Sequence, residues 1–397
     1  MLDFTFHVPT RIVFGAGRLE ELGRLPLPGV KPLVVVGAGG SMRRHGHLDR
    51  VLALLRQNGC EPMLFERVRP NPSLVHVDEG ACVARANGCD FIVGLGGGSP
   101  IDAAKAIALA AANGGSYWDY IQSGTGGRRT PQHPALPVVA IPTTAGTGTE
   151  ADPWTVVTRD ETQEKIGWGN DSTYPVLSIV DPALTVTVPP RITAMTGMDA
   201  FFHAVEAYLS LSRQPSSDLL ALEAVSLLAQ FLPQAVRQGD SVEVRSMVSW
   251  ASTAAGLCES LSSCIAHHSM EHALSAHHPD LPHGAGLVML SLPFFEVMAR
   301  VQPKRCADLA ATMGMPLHGL PPAQQGMAFV EGLRLLIRAV GLDDLRLADH
   351  GITAAEIPAL AKNARETMGA LFPLTPVDLR PEDVEAIFAK ALAGPTA

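Results

Sequence analysis

Short β-branched runs alternate with helix-like stretches through the first half of the chain, and then they stop. Residues 32–36, 63–68, 91–95 and 136–141 read as strands, with helical periodicity over 48–56, 77–86 and 100–112. Strand and helix in alternation imply a parallel sheet with helical crossovers. From about Arg191 onward the β-branched runs disappear, and residues 217–236, 241–257 and 327–340 carry a helical period instead. Val188-Pro189-Pro190 marks the change, because tandem prolines continue neither element. The expected architecture is an α/β nucleotide-binding domain with a parallel, Rossmann-related sheet over residues 1–188, and an all-helical metal-binding domain over 189–397. The active site should lie in the cleft between them. Residues 114–134, rich in Gly, Ser and Arg, read as a loop.

Charge excludes some partners. The net charge is −9 with no block of like charges, so there is no electrostatic footprint for nucleic acid or an anionic membrane. No uncharged apolar run approaches the roughly 18 residues of a spanning helix, and the N-terminus lacks the basic start of a signal peptide. A cytoplasmic location is expected. The six cysteines, Cys60, Cys82, Cys89, Cys258, Cys264 and Cys306, contain no Cys-x-x-Cys pair and read as reduced thiols.

Two loops follow strands. Gly96-Gly97-Gly98-Ser99-Pro100-Ile101-Asp102 places three glycines ahead of a helix-start signal, with Ser99 as N-cap, Pro100 in the first turn and Asp102 three after the cap. Backbone amides at a helix start can meet a diphosphate once glycines let it approach, although a tight strand-to-helix turn reads the same way. The dinucleotide fingerprint itself is absent, since both Gly37-Ala38-Gly39-Gly40-Ser41-Met42 and Gly94 to Ser99 lack its last glycine. Thr143, Thr144 and Thr147, in the loop after the next strand, offer hydroxyls to a ligand lying across the sheet, or are solvated.

Between Ala266 and Gly284 lie six histidines, His267, His268, His272, His277, His278 and His283. Upstream, Asp199 and His203 stand four residues apart, on one face of a helix. Together they suggest a divalent metal site. His267 points off the face of His268 and reads as a supporting or surface residue. His277 and His278 read as loop residues, with lining of the substrate pocket as the alternative, and Glu206 and Glu271 as solvated helix positions, with partnership to the ligating histidines as the alternative.

Taken in order, the segments Gly96 to Lys105, Pro142 to Thr147, Asp181-Pro182, Gly197-Met198-Asp199-Ala200 with His203, and His268-x-x-x-His272 with His283-Gly284 resemble the iron-containing (group III) alcohol dehydrogenases. The resemblance runs along nearly the whole chain. It implies metal ligation by Asp199, His203, His268 and His283, with Fe2+ expected and Zn2+ as the alternative. His272 matches a histidine beside the substrate and is the candidate proton relay. The activity implied is hydride transfer between a small alcohol or aldehyde and a nicotinamide cofactor, in a homodimer or larger homo-oligomer. Gly97, Gly98, Ser99, Asp102, Thr143, Thr144, Thr147, Asn71 and Lys165 fall at positions near the cofactor.

Gly39 stands where NAD-preferring relatives carry a ribose-binding aspartate. With Ser41, Arg43 and Arg44 beside it, the segment is similar to the NADPH-dependent butanol dehydrogenase type, so NADP(H) is the expected cofactor and NAD(H) the alternative. The fold is shared with zinc polyol (glycerol-type) dehydrogenases, dehydroquinate synthase-like lyases and maleylacetate reductases. His268 and His283 are fifteen residues apart, and residues 276–282 replace an aromatic-rich linker. That difference bears on substrate preference.

Overall fold

The computed structural model describes residues 3–394. Eight strands lie ahead of residue 181: β1 (Arg11–Phe14), β2 (Pro32–Gly37), β3 (Met63–Val68), β4 (Phe91–Gly96), β5 (Val138–Pro142), β6 (Thr155–Arg159), β7 (Glu164–Trp168) and β8 (Leu177–Val180). Six of them form one parallel sheet in the order β1-β8-β5-β4-β2-β3. Four helices are threaded through this half: α1 (Ser41–Arg44), α2 (His47–Gln57), α3 (Leu74–Ala86) and α4 (Gly98–Asn113). Leu33, Val34, Val35 and Val36 are all buried, as continuous apolar strands covered on both faces must be.

The α/β half thus has the parallel sheet anticipated from the alternating runs. The antiparallel pair β6–β7 was not anticipated, nor were the short edge strand β1 and its neighbour β8. Their four- and five-residue spans are too brief for periodicity to stand out.

From β2 the chain steps outward to β3, then crosses back to β4 on the other side. The reversal between β2 and β4 is a topological switch point, where a crevice opens at the carboxyl ends of the strands. Helix α4 lies tightly on the sheet there. A Cβ on Gly94 would stand 2.9 Å from the Ile101 Cα, so only glycine allows the approach. Ala103, Ala104, Ala106, Ala108 and Ala110 are buried.

The remainder is helical: α5 (Pro190–Leu209), α6 (Pro215–Arg237), α7 (Val242–Leu261), α8 (Ala266–His277), α9 (His283–Val301), α10 (Pro303–Thr312), α11 (Pro322–Ala339), α12 (Ile357–Thr367) and α13 (Pro381–Ala393). Pro189 and Pro190 open α5 as N-cap and first helical residue, where a missing N–H costs nothing. Helices α6 and α9 are each long and apolar enough to cross a membrane by length and composition, more than a search for uncharged runs indicated. Both pack into the helical core, with Leu228, Leu232, Phe294 and Phe295 buried.

Candidate active site

Three helices of the helical half aim four side chains at one point. On α5, Asp199 and His203 share a face; His268 comes from the first turn of α8, and His283 is the first residue of α9. Asp199 Oδ1 lies 3.5 Å from His203 Nε2, 3.6 Å from His268 Nε2 and 3.4 Å from His283 Nε2. Among the described residues, Asp199 Oδ1 and His268 Nε2 are buried with no hydrogen-bond partner. Buried polar atoms are seldom left so, and three imidazoles facing one carboxylate oxygen are the donor set a divalent ion takes. The residues fit the metal.

The surrounding groups fix which nitrogen each ring turns inward. His268 Nδ1 lies 2.6 Å from Glu206 Oε1, and the same oxygen takes His267 Nδ1 at 2.8 Å. Burial alone would raise Glu206, yet the two imidazoles outweigh it and hold the carboxylate below its ordinary range. His283 Nδ1 is bonded to Glu271 Oε2, which also meets the Lys165 ammonium at 3.3 Å. Glu206 and Glu271 are both fully buried, which excludes the solvated reading and leaves the alternative, that they partner the ligating histidines. His267 is buried too, with Nε2 3.0 Å from the Leu287 carbonyl, so it supports the site from behind. Burial would raise Asp199 as well, but His203 and His283 hold it well below the carboxylate range. Burial lowers His203 to about 4, the neutral state a ligand requires.

Opposite these helices is the crevice of the sheet. A cleft of about 440 Å³ joins the two and is lined by Asn71, Gly98, Ser99, Asp102, Thr147, Lys165, Asp199, His203, His268, His272 and His283 among others. Gly96 takes a positive φ of +146°, and α4 begins at Gly98 with Gly97 as its N-cap. Ser99 therefore sits inside the first turn rather than capping it. No side chain caps α4, so its first amides face the cleft ready for an anion. Gly97 and Thr144 pack against each other beside this turn, and Thr143 N–H donates to the Gly96 carbonyl at 2.8 Å. These three residues, like Gly39 and Ser41, do not line the cleft itself.

Several cofactor assignments change in character. The Asp102 carboxylate accepts from Thr149 Oγ1 at 2.6 Å and Val156 N–H at 3.1 Å, so it braces the loop, and burial pushes it up to about 7. Lys165 lines the cleft but spends its ammonium on Glu271 and on His283 Nδ1, 3.2 Å away, and so supports a metal ligand. Asn71, with φ +51°, donates through Nδ2 to the Pro279 carbonyl at 3.1 Å and ties the α/β half to the connection before α9. Arg43 is gripped at both nitrogens by Glu66, which sequence spacing did not indicate, while Arg44 Nη1 donates to the Gly39 carbonyl at 2.9 Å.

His272 faces the cleft, with Nδ1 3.2 Å from the Lys165 carbonyl. Burial, then the neighbouring Lys165 charge, depresses it well below the ordinary histidine value, so it does not titrate near neutrality as an unperturbed histidine would. His277 and His278 are absent from the cleft lining, and His278 Nε2 lies 3.0 Å from Glu356 Oε1. Sequence reasoning passed over Glu259 and Cys264, whose ligand atoms cluster with those of His203 and His268 within 4.8 Å of one another. An acid in the otherwise apolar last turns of α7 was the available signal. Burial, then the charge of Asp152, raises Glu259 well above the carboxylate range.

A nucleotide crevice facing an Asp-His-His-His centre across one cleft defines a metal-dependent dehydrogenase of the α/β plus all-α type. A family model for iron-containing alcohol dehydrogenase matches residues 9–182, and one for the C-terminal part of the Fe-containing alcohol dehydrogenase family matches 193–392. The chain belongs to the iron-containing alcohol dehydrogenase family and is an NAD(P)-dependent oxidoreductase. It is 34% identical to a 1,3-propanediol dehydrogenase of Klebsiella pneumoniae over 393 residues, covering 98% of each chain. It is 32% identical to NADH-dependent butanol dehydrogenase B of Clostridium acetobutylicum, covering 99% of this chain and 100% of that one. The crystal structure of an archaeal halo-thermophilic Red Sea brine pool alcohol dehydrogenase superposes with a TM-score of 0.93 at 33% identity, covering 99% of this chain and all of the other.

Proposed function

We propose that the chain interconverts a primary or small alcohol and its aldehyde with NADP(H), using iron held by Asp199, His203, His268 and His283. The convergence of three imidazole Nε2 atoms on Asp199 Oδ1 carries the ligand assignment. Bound there, Fe2+, or Zn2+ as the alternative, supplies a Lewis acid that lowers the pKa of an alcohol hydroxyl. Glu206 and Glu271 hold His268 and His283 with Nε2 inward. His272, its Nδ1–H directed to the Lys165 carbonyl, presents Nε2 as an acceptor for the hydroxyl proton. The uncapped start of α4, with Thr147 beside it, would hold the cofactor diphosphate, and the bound nicotinamide would supply the hydride acceptor.

Support for NADP(H) lies at the end of β2. Gly39 offers no carboxylate to repel a 2′-phosphate, and the Arg44 guanidinium, at the opposite end of α1 from Ser41, rests on the Gly39 carbonyl. Zinc polyol dehydrogenase and dehydroquinate synthase-like chemistries fit less well, since the relatives are alcohol dehydrogenases over their full length.

Iron-reconstituted protein incubated with NADPH or NADH and a panel of small aldehydes should oxidise the cofactor, faster with NADPH. No oxidation across the panel, with metal demonstrably bound, would falsify the dehydrogenase reading. Clear preference for NADH would overturn the cofactor assignment alone. His268→Ala should lose both iron and turnover; full activity in that variant would remove His268 from the ligand set.

A further inference from the structure

One acid in the cleft has no task in the reaction described above. Glu259 sits in the last turn of α7, 8% exposed, on the wall that also carries His203 and His268. Its Oε1 accepts from the Cys264 thiol at 2.7 Å and lies 3.1 Å from His203 Nε2. Its Oε2 makes no hydrogen bond with any described residue.

The other acids lining the cleft are engaged. Asp102 receives Thr149 and the Val156 amide; Asp152 receives the Lys105 ammonium and the Trp154 amide; Asp199 faces three imidazoles. Among the described residues, no lysine or arginine pairs with Glu259. The same cleft is also lined by the apolar Trp154, Leu371 and Leu374. Glu259 Oε2 is therefore open to a hydrogen-bonding group of whatever occupies the cleft.

Position limits what that partner can be. His203 Nε2 is shared between the ion-binding point, 3.5 Å away at Asp199 Oδ1, and Glu259 Oε1. An alcohol oxygen drawn to that point would place the substituent on the next carbon, and not a remote chain end, against Glu259.

We propose that Glu259 is a specificity-determining residue selecting alcohols with a hydrogen-bond donor, hydroxyl or ammonium, on the carbon adjacent to the carbinol. A vicinal hydroxyl supplies the missing donor; an ammonium supplies a donor and would draw the acid toward its ionised form. This rests on the dehydrogenase reading of the same cleft.

The test uses the iron-loaded enzyme and three alcohols of one carbon skeleton: 1-propanol, 1,2-propanediol and 2-amino-1-propanol. Wild type should favour at least one of the latter two over 1-propanol by about tenfold to a hundredfold in kcat/KM, the range of one hydrogen bond to a buried acid. Which of the two gains more tells hydroxyl from ammonium. Glu259→Leu should abolish the preference, and Glu259→Gln should keep it for the diol while losing it for the amine. Binding to the enzyme–NADPH complex, followed by nicotinamide fluorescence, should show the same ordering without turnover. Unchanged ratios in both variants overturn the proposal, as does loss of bound iron with ratios intact, which would make Glu259 a metal ligand. Failure of wild type on every alcohol, 1-propanol included, sinks the dehydrogenase reading instead.

Discussion

Glu206 Oε1 lies 2.6 Å from Nδ1 of His268, and the same carboxylate takes the amide of Ile265 through Oε2 at 2.8 Å. One acid thus sets both the ring of a metal ligand and the start of the helix that carries it. Such partners of ligating histidines are worth about 10–100-fold in metal affinity. Glu206→Gln keeps the shape but must turn an NH2 group toward either the imidazole or the backbone. Its iron affinity, measured by competition with a chelator, should fall by about that factor, while kcat of the fully loaded protein falls less. Equal iron affinity in the variant would reduce Glu206 to a packing residue.

Lys165 offers a second test, because its ammonium and the Glu271 carboxylate are both almost wholly buried and 3.3 Å apart. Removing one member of a buried pair strands the other, at about 3–5 kcal/mol. Lys165→Met should destabilise the protein by that order, and Lys165→Met/Glu271→Gln should recover part of the loss in urea unfolding. If Lys165 served the cofactor instead, the single variant would raise the cofactor KM and leave the unfolding midpoint in place.

Which parts of this site could be read in the amino-acid order follows from how local each relation is. Asp199 with His203, and His268 with His272, are helical neighbours, so spacing alone put each pair on one face. Glu206 reaches His268 from 62 residues away and Lys165 reaches Glu271 from 106. Whether an acid on an amphipathic stretch is solvated or buried depends on such distant partners, which periodicity does not report. The same holds for Ser99. Its context is a good N-cap signal, but the helix starts earlier, because Gly96 adopts a φ open only to glycine and Gly98 must pass close to Thr147. Hairpin β6–β7, which brings Lys165 to the cleft, was hidden by the brevity of its strands.

The approach of Gly98 to Thr147 gives a sharp test of the cofactor end. A Cβ on Gly98 would stand 3.0 Å from Thr147 Oγ1 and closer still to its methyl group. Gly98→Ala should push the threonine loop away from the first turn of α4 and raise the cofactor KM about tenfold, a loss of order 1.4 kcal/mol. Thr147→Ser removes the nearest atom, so the double variant should bind cofactor better than Gly98→Ala alone. Iron content should be the same in all three. A cofactor KM unmoved by Gly98→Ala would place the nucleotide elsewhere.

Asp102 makes stability depend on pH with a definite sign. Burial, opposed by Lys105 and by the hydrogen bond from Thr149, sets its folded pKa at about 7, above the ordinary 3.8. A raised folded value means that the native state holds the proton more tightly than the unfolded chain. The resulting stability is complete below the unfolded pKa and is lost as pH rises through the folded one. Asp102→Asn cannot titrate. The stability of wild type relative to this variant should therefore decline between about pH 4 and pH 7, by up to about 4 kcal/mol, since each pKa unit is worth about 1.4 kcal/mol. Urea unfolding of both proteins across that range, at fixed ionic strength and iron content, measures the difference, in which the other titrating groups cancel. A gap that widened in favour of wild type as pH rose would mean that Lys105 dominates and that Asp102 is an ordinary ion-paired carboxylate. The same charge change occurs beside the first turn of α4, where a diphosphate would sit. Cofactor affinity should consequently weaken from pH 6 to pH 8 in wild type and stay flatter in Asp102→Asn, as nicotinamide fluorescence titration would show.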